Sequence, residues 1–174
     1  MNVNEPIIAE VKHEAATTRK LLERVPQDSL LWQPHEKSMT MGRLAAHIAS
    51  LPRLLVAALT LDEYDTNDFR AQSPSSDSVS SILEAFDKNI AEAHEALKTL
   101  SEERLLDPWR YRNGEQVLFE MPRLAVIRFV VLNHIVHHRG QLSVYLRLRD
   151  VPLPSVYGPT ADESPWTENK SISR

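Results

Sequence analysis

The chain has 174 residues, 42% hydrophobic and 25% charged, with 24 acidic against 20 basic side chains and a net charge of −4. That suits one domain, residues 1–174, with a sizeable core, and it excludes wholesale disorder. The acidic balance speaks against nucleic acid as a ligand, which needs basic surface to displace counterions, and the lack of cysteine excludes disulfides, thiolate ligands and a cysteine nucleophile.

Residues 1–9 carry Glu5 and Pro6 and do not read as a signal peptide. The first helix is expected over residues 4–25: Ile7, Ile8, Val11, Ala15, Thr18, Leu21, Leu22 and Val25 recur at spacings of three and four, and Pro26 ends the run. A loop over 27–39 precedes a second helix over 40–61, with Thr40 as N-cap and Pro52 kinking or dividing it. The polar stretch 62–78, rich in Ser and Asp, reads as a long exposed connection. A third helix over 79–100 carries the stripe Ile82, Phe86, Ile90, Ala93 and Leu97. Within 109–119 the pair Asn113-Gly114 between alternating residues predicts a small hairpin or turn. The fourth helix, over 122–148 with Pro122 in its first turn, is apolar around most of its circumference and is therefore expected to be the most buried. Its most apolar part, 125–136, is broken by Arg128, Asn133 and His134, so no membrane span is expected and the setting reads as cytoplasmic. A proline-rich tail follows Asp150. Four helices of this length predict an all-α four-helix bundle, whose order the long connection leaves open.

Seven histidines occur, and three of them, His134, His137 and His138, sit on the fourth helix. Residues four apart share a helical face, so His134 and His138 can aim two imidazoles at one point; His134 with His137 is the geometric rival. Imidazole suits Zn²⁺, Ni²⁺, Cu²⁺ or Fe²⁺, and a third ligand is needed. His47, inside the apolar run "LAAHIA", is the natural candidate, because a histidine there needs a polar partner. The alternative for each is a hydrogen-bonded core histidine. His13, His35 and His94 read as surface or loop residues. No His-Glu-x-x-His occurs, and only Glu10 with His13 has the Glu-x-x-His spacing, so neither a metalloprotease nor a di-iron bundle is expected and a mononuclear site is.

The block "NHIVHHRGQLSVYLRL" at 133–148, with "SMTMGRLAAHIASLP" at 38–52 and "VPLPSVYGPTADE" at 151–163, resembles the DinB-like superfamily, which includes the YfiT-type metal-dependent hydrolases. The resemblance spans essentially the whole chain. It implies a bundle in up-down-down-up order, a metal held by His47, His134 and His138, and a homodimer formed through bundle helices. It selects the 134/138 pair over 134/137. It also implies a damage- or stress-response setting without DNA binding, and its relatives include bacillithiol S-transferases and mycothiol-dependent maleylpyruvate isomerases.

Three histidines leave a coordination position open, as catalytic sites do and structural zinc sites do not. One divalent ion per chain, zinc or nickel, is expected. Three uses follow: a metal-dependent hydrolase, a metal-dependent S-transferase acting with a small thiol, or a non-enzymatic metal-binding stress protein. No general base stands out. Glu115, Glu120 and Asp162 qualify only if the hairpin or tail folds over the site, and otherwise read as solvated acids. Arg139 and Gln141 flank the ligand helix and read as helix or dimer contacts rather than substrate contacts; Tyr145 reads as core. Tyr157 and Asp162 lie in the third resembling block without an assigned role.

Overall fold

The computed structural model describes residues 4–166; the single-domain expectation for 1–174 reaches beyond them at both ends. Helix α1 (Asn4–Leu22) forms on the apolar stripe read above, with Ile7, Val11, Leu21 and Leu22 buried. Thr40 caps α2 (Met41–Ser50), its side chain accepting from the Arg43 N–H. Pro52 divides the second helix as expected, since it has no N–H to donate. Leu51 keeps right-handed helical torsions, and α3 (Pro52–Thr60) continues the path. Ser78 caps α5 (Val79–Lys98) by accepting from the Ser81 N–H.

The fourth helical run starts at Arg123 and changes pitch along its length. After a short α6 (Arg123–Ala125), residues Val126–Leu132 form a π-helical segment in which the Asn133 N–H reaches back five residues to the Arg128 carbonyl. An ordinary helix, α7 (Asn133–Leu148), follows. Wide π turns interrupt helices mostly where a function is served, and this one directly precedes His134.

Helix α1 packs on α5 and α7, α2 packs on α5 and α7, and α3 packs on α5 and the π segment. Buried leucines, isoleucines and Phe86 fill the space between them. At ~25 cal/mol per Å² of apolar surface removed from water, this burial is the main stabilising term. The rod Met41–Thr60 is long and apolar enough to cross a membrane, which displaces 125–136 as the most membrane-like stretch, but 83% of that window is buried inside the fold. It is a core helix by its surroundings.

The all-α expectation needs correction: the chain is mostly helical but carries a small three-stranded sheet, in the order β1-β2-β3. The hairpin pairs β2 (Pro108–Asn113) antiparallel to β3 (Gln116–Pro122). Its loop is Gly114-Glu115, one residue later than Asn113-Gly114; Asn113 pairs with Gln116, and within the loop Gly114 has positive φ, +59°. A glycine at the first loop position is the preference of a II′ turn. The polar connection 62–78 is not structureless. It contains β1 (Glu63–Asp65), parallel to β2, and α4 (Thr66–Ala71). Charge pairing explains the strand: Arg112 of β2 donates to Glu63 and to Asp65. Backbone bonds to Asn67 and Gly114, then the Arg112 charge, hold the Asp65 carboxyl below its ordinary range. The sheet is pinned to the end of α3 by Trp109, fully buried, whose Nε1 donates to the Ala57 carbonyl at 3.3 Å. Arg123, 1% exposed, donates to the Ala58 and Leu61 carbonyls and so satisfies two acceptors at the end of α3.

Candidate metal centre

His47 comes from the middle of α2, His134 and His138 from successive turns of α7, and the packing of α2 on α7 brings the three together. One ligand nitrogen from each lies within 4.8 Å of the others. Nε2 of His134 stands 2.8 Å from Nε2 of His138 and 3.4 Å from Nε2 of His47. A tetrahedral zinc with bonds of ~2.05 Å sets its ligand nitrogens about 3.3 Å apart. The His47–His134 separation already matches that spacing, and the His134–His138 separation would open by about half an ångström.

Each ring is held by something other than its neighbours. His138, 8% exposed, donates from Nδ1 to Oε1 of Gln141 at 2.7 Å. The His134 ring is hydrogen-bonded to the backbone of Val130, one turn back. The His47 ring meets Phe69 of α4 edge-on, at 5.9 Å between centroids. Fixing the far nitrogen to an acceptor leaves the Nε2 lone pair free, as a metal ligand requires. At 2.8 Å the His134 and His138 Nε2 atoms share either a proton donated by one of the rings or an ion that takes its place.

Burial keeps these rings neutral. It lowers His47 to about 4, aided by the charges of His138 and His134; it lowers His134 to about 4, aided by His138; and it lowers His138 against the bond to Gln141, which raises it. Neutral imidazole is the metal-binding form.

Among the described residues, the close group of potential ligands is these three alone. The other sequence candidates lie elsewhere. His137 is exposed and outside the group. His13 and His35 are exposed, whereas His94 is half-buried with Nε2 lacking a partner, so its surface reading is corrected. Glu120 pairs with Arg110, Glu115 is exposed, and Asp162 pairs with Arg147 and accepts from the Leu153 N–H. Asp162 therefore fastens the tail to α7. Arg139 is buried against Glu14 and Thr18 of α1 and against Tyr157 of the tail, which makes it a helix contact as read. Tyr145 donates to the Met39 carbonyl and packs on Trp32. Gln141 is instead the orienting partner of His138; three residues on, it shares that face of α7.

A cleft of about 310 Å³ opens beside the cluster, lined by Met39, Arg43, Ala46, His47, Arg70 and the 73–76 loop. Sequence reasoning missed Phe69 and Arg70, because the α4 segment reads as a loop when only polarity is counted, and it missed Arg43 of α2, whose place beside the cleft depends on tertiary packing.

Comparison with known proteins agrees with this architecture. The DinB family matches residues 1–170. YrdA of Bacillus subtilis strain 168 is 30% identical over 155 residues, covering 86% of this chain and 85% of YrdA. A DinB-like protein of Bacillus cereus ATCC 10987 superposes with a TM-score of 0.69 at 23% identity, over 88% of this chain and 97% of that one. The DinB-like YjoA of Bacillus subtilis gives 0.65 at 18% identity, over 85% and 96%. The family match over nearly the whole chain places it in the DinB family, with three histidines able to hold a metal ion between α2 and α7.

Proposed function

We propose that His47, His134 and His138 hold one divalent ion, zinc or nickel, and that the protein is a metal-dependent hydrolase. The observation that carries this reading is the meeting of three neutral imidazoles with no fourth protein ligand among the described residues. Such an ion supplies Lewis acidity at an open position, where a water or thiol is acidified. The chain's own residues do the rest. Gln141 fixes the tautomer and rotation of His138, the Val130 backbone does so for His134, and Phe69 shields the outer side of His47. The cleft admits a small substrate along the His47 wall.

The same cleft favours a second reading, transfer of a low-molecular-weight thiol, since it has room for a small cosubstrate. It counts against a metal-binding stress protein without turnover, which needs no cleft. The packing of α1 and α2 on α5 and α7, and of α3 on α5 and the π segment, supports a four-helix bundle in up-down-down-up order. A homodimer is supported by the row of half-buried Val136 and exposed Gly140, Val144 and Leu148 at spacings of four on α7. A cytoplasmic setting fits the cysteine-free composition.

The test is metal content by mass spectrometry on untagged protein. One ion per chain is expected in wild type and in His137→Ala, and none in His47→Ala, His134→Ala or His138→Ala. Wild-type protein that neither carries metal nor takes up Zn²⁺ or Ni²⁺ on titration overturns the proposal. A subsequent screen for thiol dependence separates transferase from hydrolase.

A further inference from the structure

Two arginines beside His47 make no side-chain hydrogen bond within the fold. Arg19, Arg53, Arg104, Arg110, Arg112, Arg123, Arg128, Arg139, Arg147 and Arg149 each donate a side-chain hydrogen bond. Among the described residues Arg24, Arg43 and Arg70 donate none, and two of these three line the cleft beside His47. No acidic side chain lines it, although acids outnumber bases in the chain.

The fold holds both arginines at this wall. Arg43 precedes His47 by four residues on α2, one turn away on the same face. Arg70 is delivered by α4, which is fixed in place through its neighbour Phe69. The Phe69 ring packs on His47, while Arg53 lies over that ring and donates to the carbonyls of Asp68 and Phe69. The opposite wall, the 73–76 loop, is drawn tight against α2. A Cβ on Gly42 would stand 2.3 Å from the Ser76 carbonyl oxygen and 3.0 Å from that of Leu30, so only glycine permits the approach. The first-turn N–H groups of α2 are already spent: Met41 donates to the Trp32 carbonyl, Gly42 to the Leu30 carbonyl and Arg43 to Thr40 Oγ1. Recognition in this cleft therefore falls to the two guanidinium groups, which suit carboxylate and phosphate because they present paired donors.

The geometry points to an anion subsite in which Arg43 and Arg70 bind the carboxylate or phosphate group of a small substrate whose reactive end lies against His47. The position of that reactive end rests on the metal-centre reading; the anionic end does not.

The experiment titrates succinate and, separately, inorganic phosphate into zinc-loaded and chelator-stripped protein by calorimetry at low ionic strength. Wild type is expected to bind at least one of them in both forms. Arg43→Gln and Arg70→Gln each weaken that binding about fivefold or more, the loss of a charge-assisted hydrogen bond, with folding checked by circular dichroism. Arg24→Gln, which removes the same charge elsewhere on the surface, leaves it unchanged. Preference for succinate assigns a carboxylate substrate, and preference for phosphate a phosphate ester. Absence of binding to wild type, or equal weakening in Arg24→Gln, overturns the subsite. Protein that takes up no zinc but keeps the arginine dependence leaves the subsite standing and removes the metal reading; protein that takes up zinc without arginine dependence does the reverse.

Discussion

His138 and Arg139 are consecutive residues of α7, both buried, at 8% and 2% exposure, and they solve opposite problems. Consecutive positions on a helix point about 100° apart. Arg139 faces α1, where its guanidinium donates to the Glu14 carbonyl, the Thr18 hydroxyl and the Tyr157 hydroxyl, lies 2.7 Å from the Glu14 carboxylate and stacks over the Tyr157 ring. His138 faces α2, spends one nitrogen on Gln141 and leaves the other against His134. A buried polar group with all its bonds made holds a fold together. A buried group whose lone pair meets others of its kind is arranged for a ligand. One helix thus carries a structural polar stripe and a chemical one, and the partners tell them apart.

The largest expected effect tests the structural stripe. Arg139→Met leaves the Glu14 carboxylate buried without its cation, which costs about 3–5 kcal/mol. Chemical denaturation checks the loss, and adding Glu14→Leu is expected to recover a large part of it. Zinc affinity of the folded fraction should stay within about twofold of wild type, since Arg139 touches no ligand. A single variant that unfolds little but loses zinc would erase the distinction between the two stripes.

A smaller effect tests the chemical stripe. Gln141→Leu removes the acceptor that fixes the His138 tautomer, and zinc affinity is expected to fall about 10- to 100-fold. Because Gln141 is exposed, unfolding free energy should change by under ~0.5 kcal/mol. Competition with a chromophoric chelator measures the first quantity and denaturation the second. Unchanged zinc affinity would show that Gln141 is a surface residue with a fortuitous contact.

These stripes were unequally legible in the sequence. The periodicity of the apolar residues was enough for the helical segments, and the four-residue spacing was enough to set His134 and His138 on one face. The pairing of His47 with them needed tertiary packing, which spacing alone does not encode, and there the family resemblance supplied what the pattern left open. Three features escaped. A three-residue strand such as Glu63–Asp65 is too short to show alternation, and it exists because Arg112 brings charge from a strand nearly fifty residues away. Helix α4 is short and polar, with Phe69 as its anchor into the core. The π segment is a change of pitch inside a continuous apolar run, and residue composition carries no mark of it.

The smallest effect concerns protons, and it sharpens the contrast because burial shifts the imidazoles of the chemical stripe toward the neutral form across the mildly acidic range. In metal-free protein, His47 and His134 protonate near 4 when folded and near the ordinary 6.5 when unfolded, with His138 shifted the same way. Between those values the unfolded chain binds more protons than the folded one, so the slope of stability against pH is positive there. The contribution of these rings is complete above about 6.5, falls as pH drops through the interval and is gone below about 4. The check is thermal unfolding of chelator-treated protein at pH 7.5 and pH 4.5. Carboxylates also titrate toward the lower pH, but they are common to wild type and to His47→Gln, so the difference between the two isolates the ring. Wild type is expected to lose more of its melting temperature than His47→Gln over this interval. An equal loss in both would mean that the His47 ring is hydrated in the metal-free protein and gains its neutrality from a bound ion alone. The cluster would then be assembled by the metal, whereas the Arg139 network would remain the part that the fold assembles for itself.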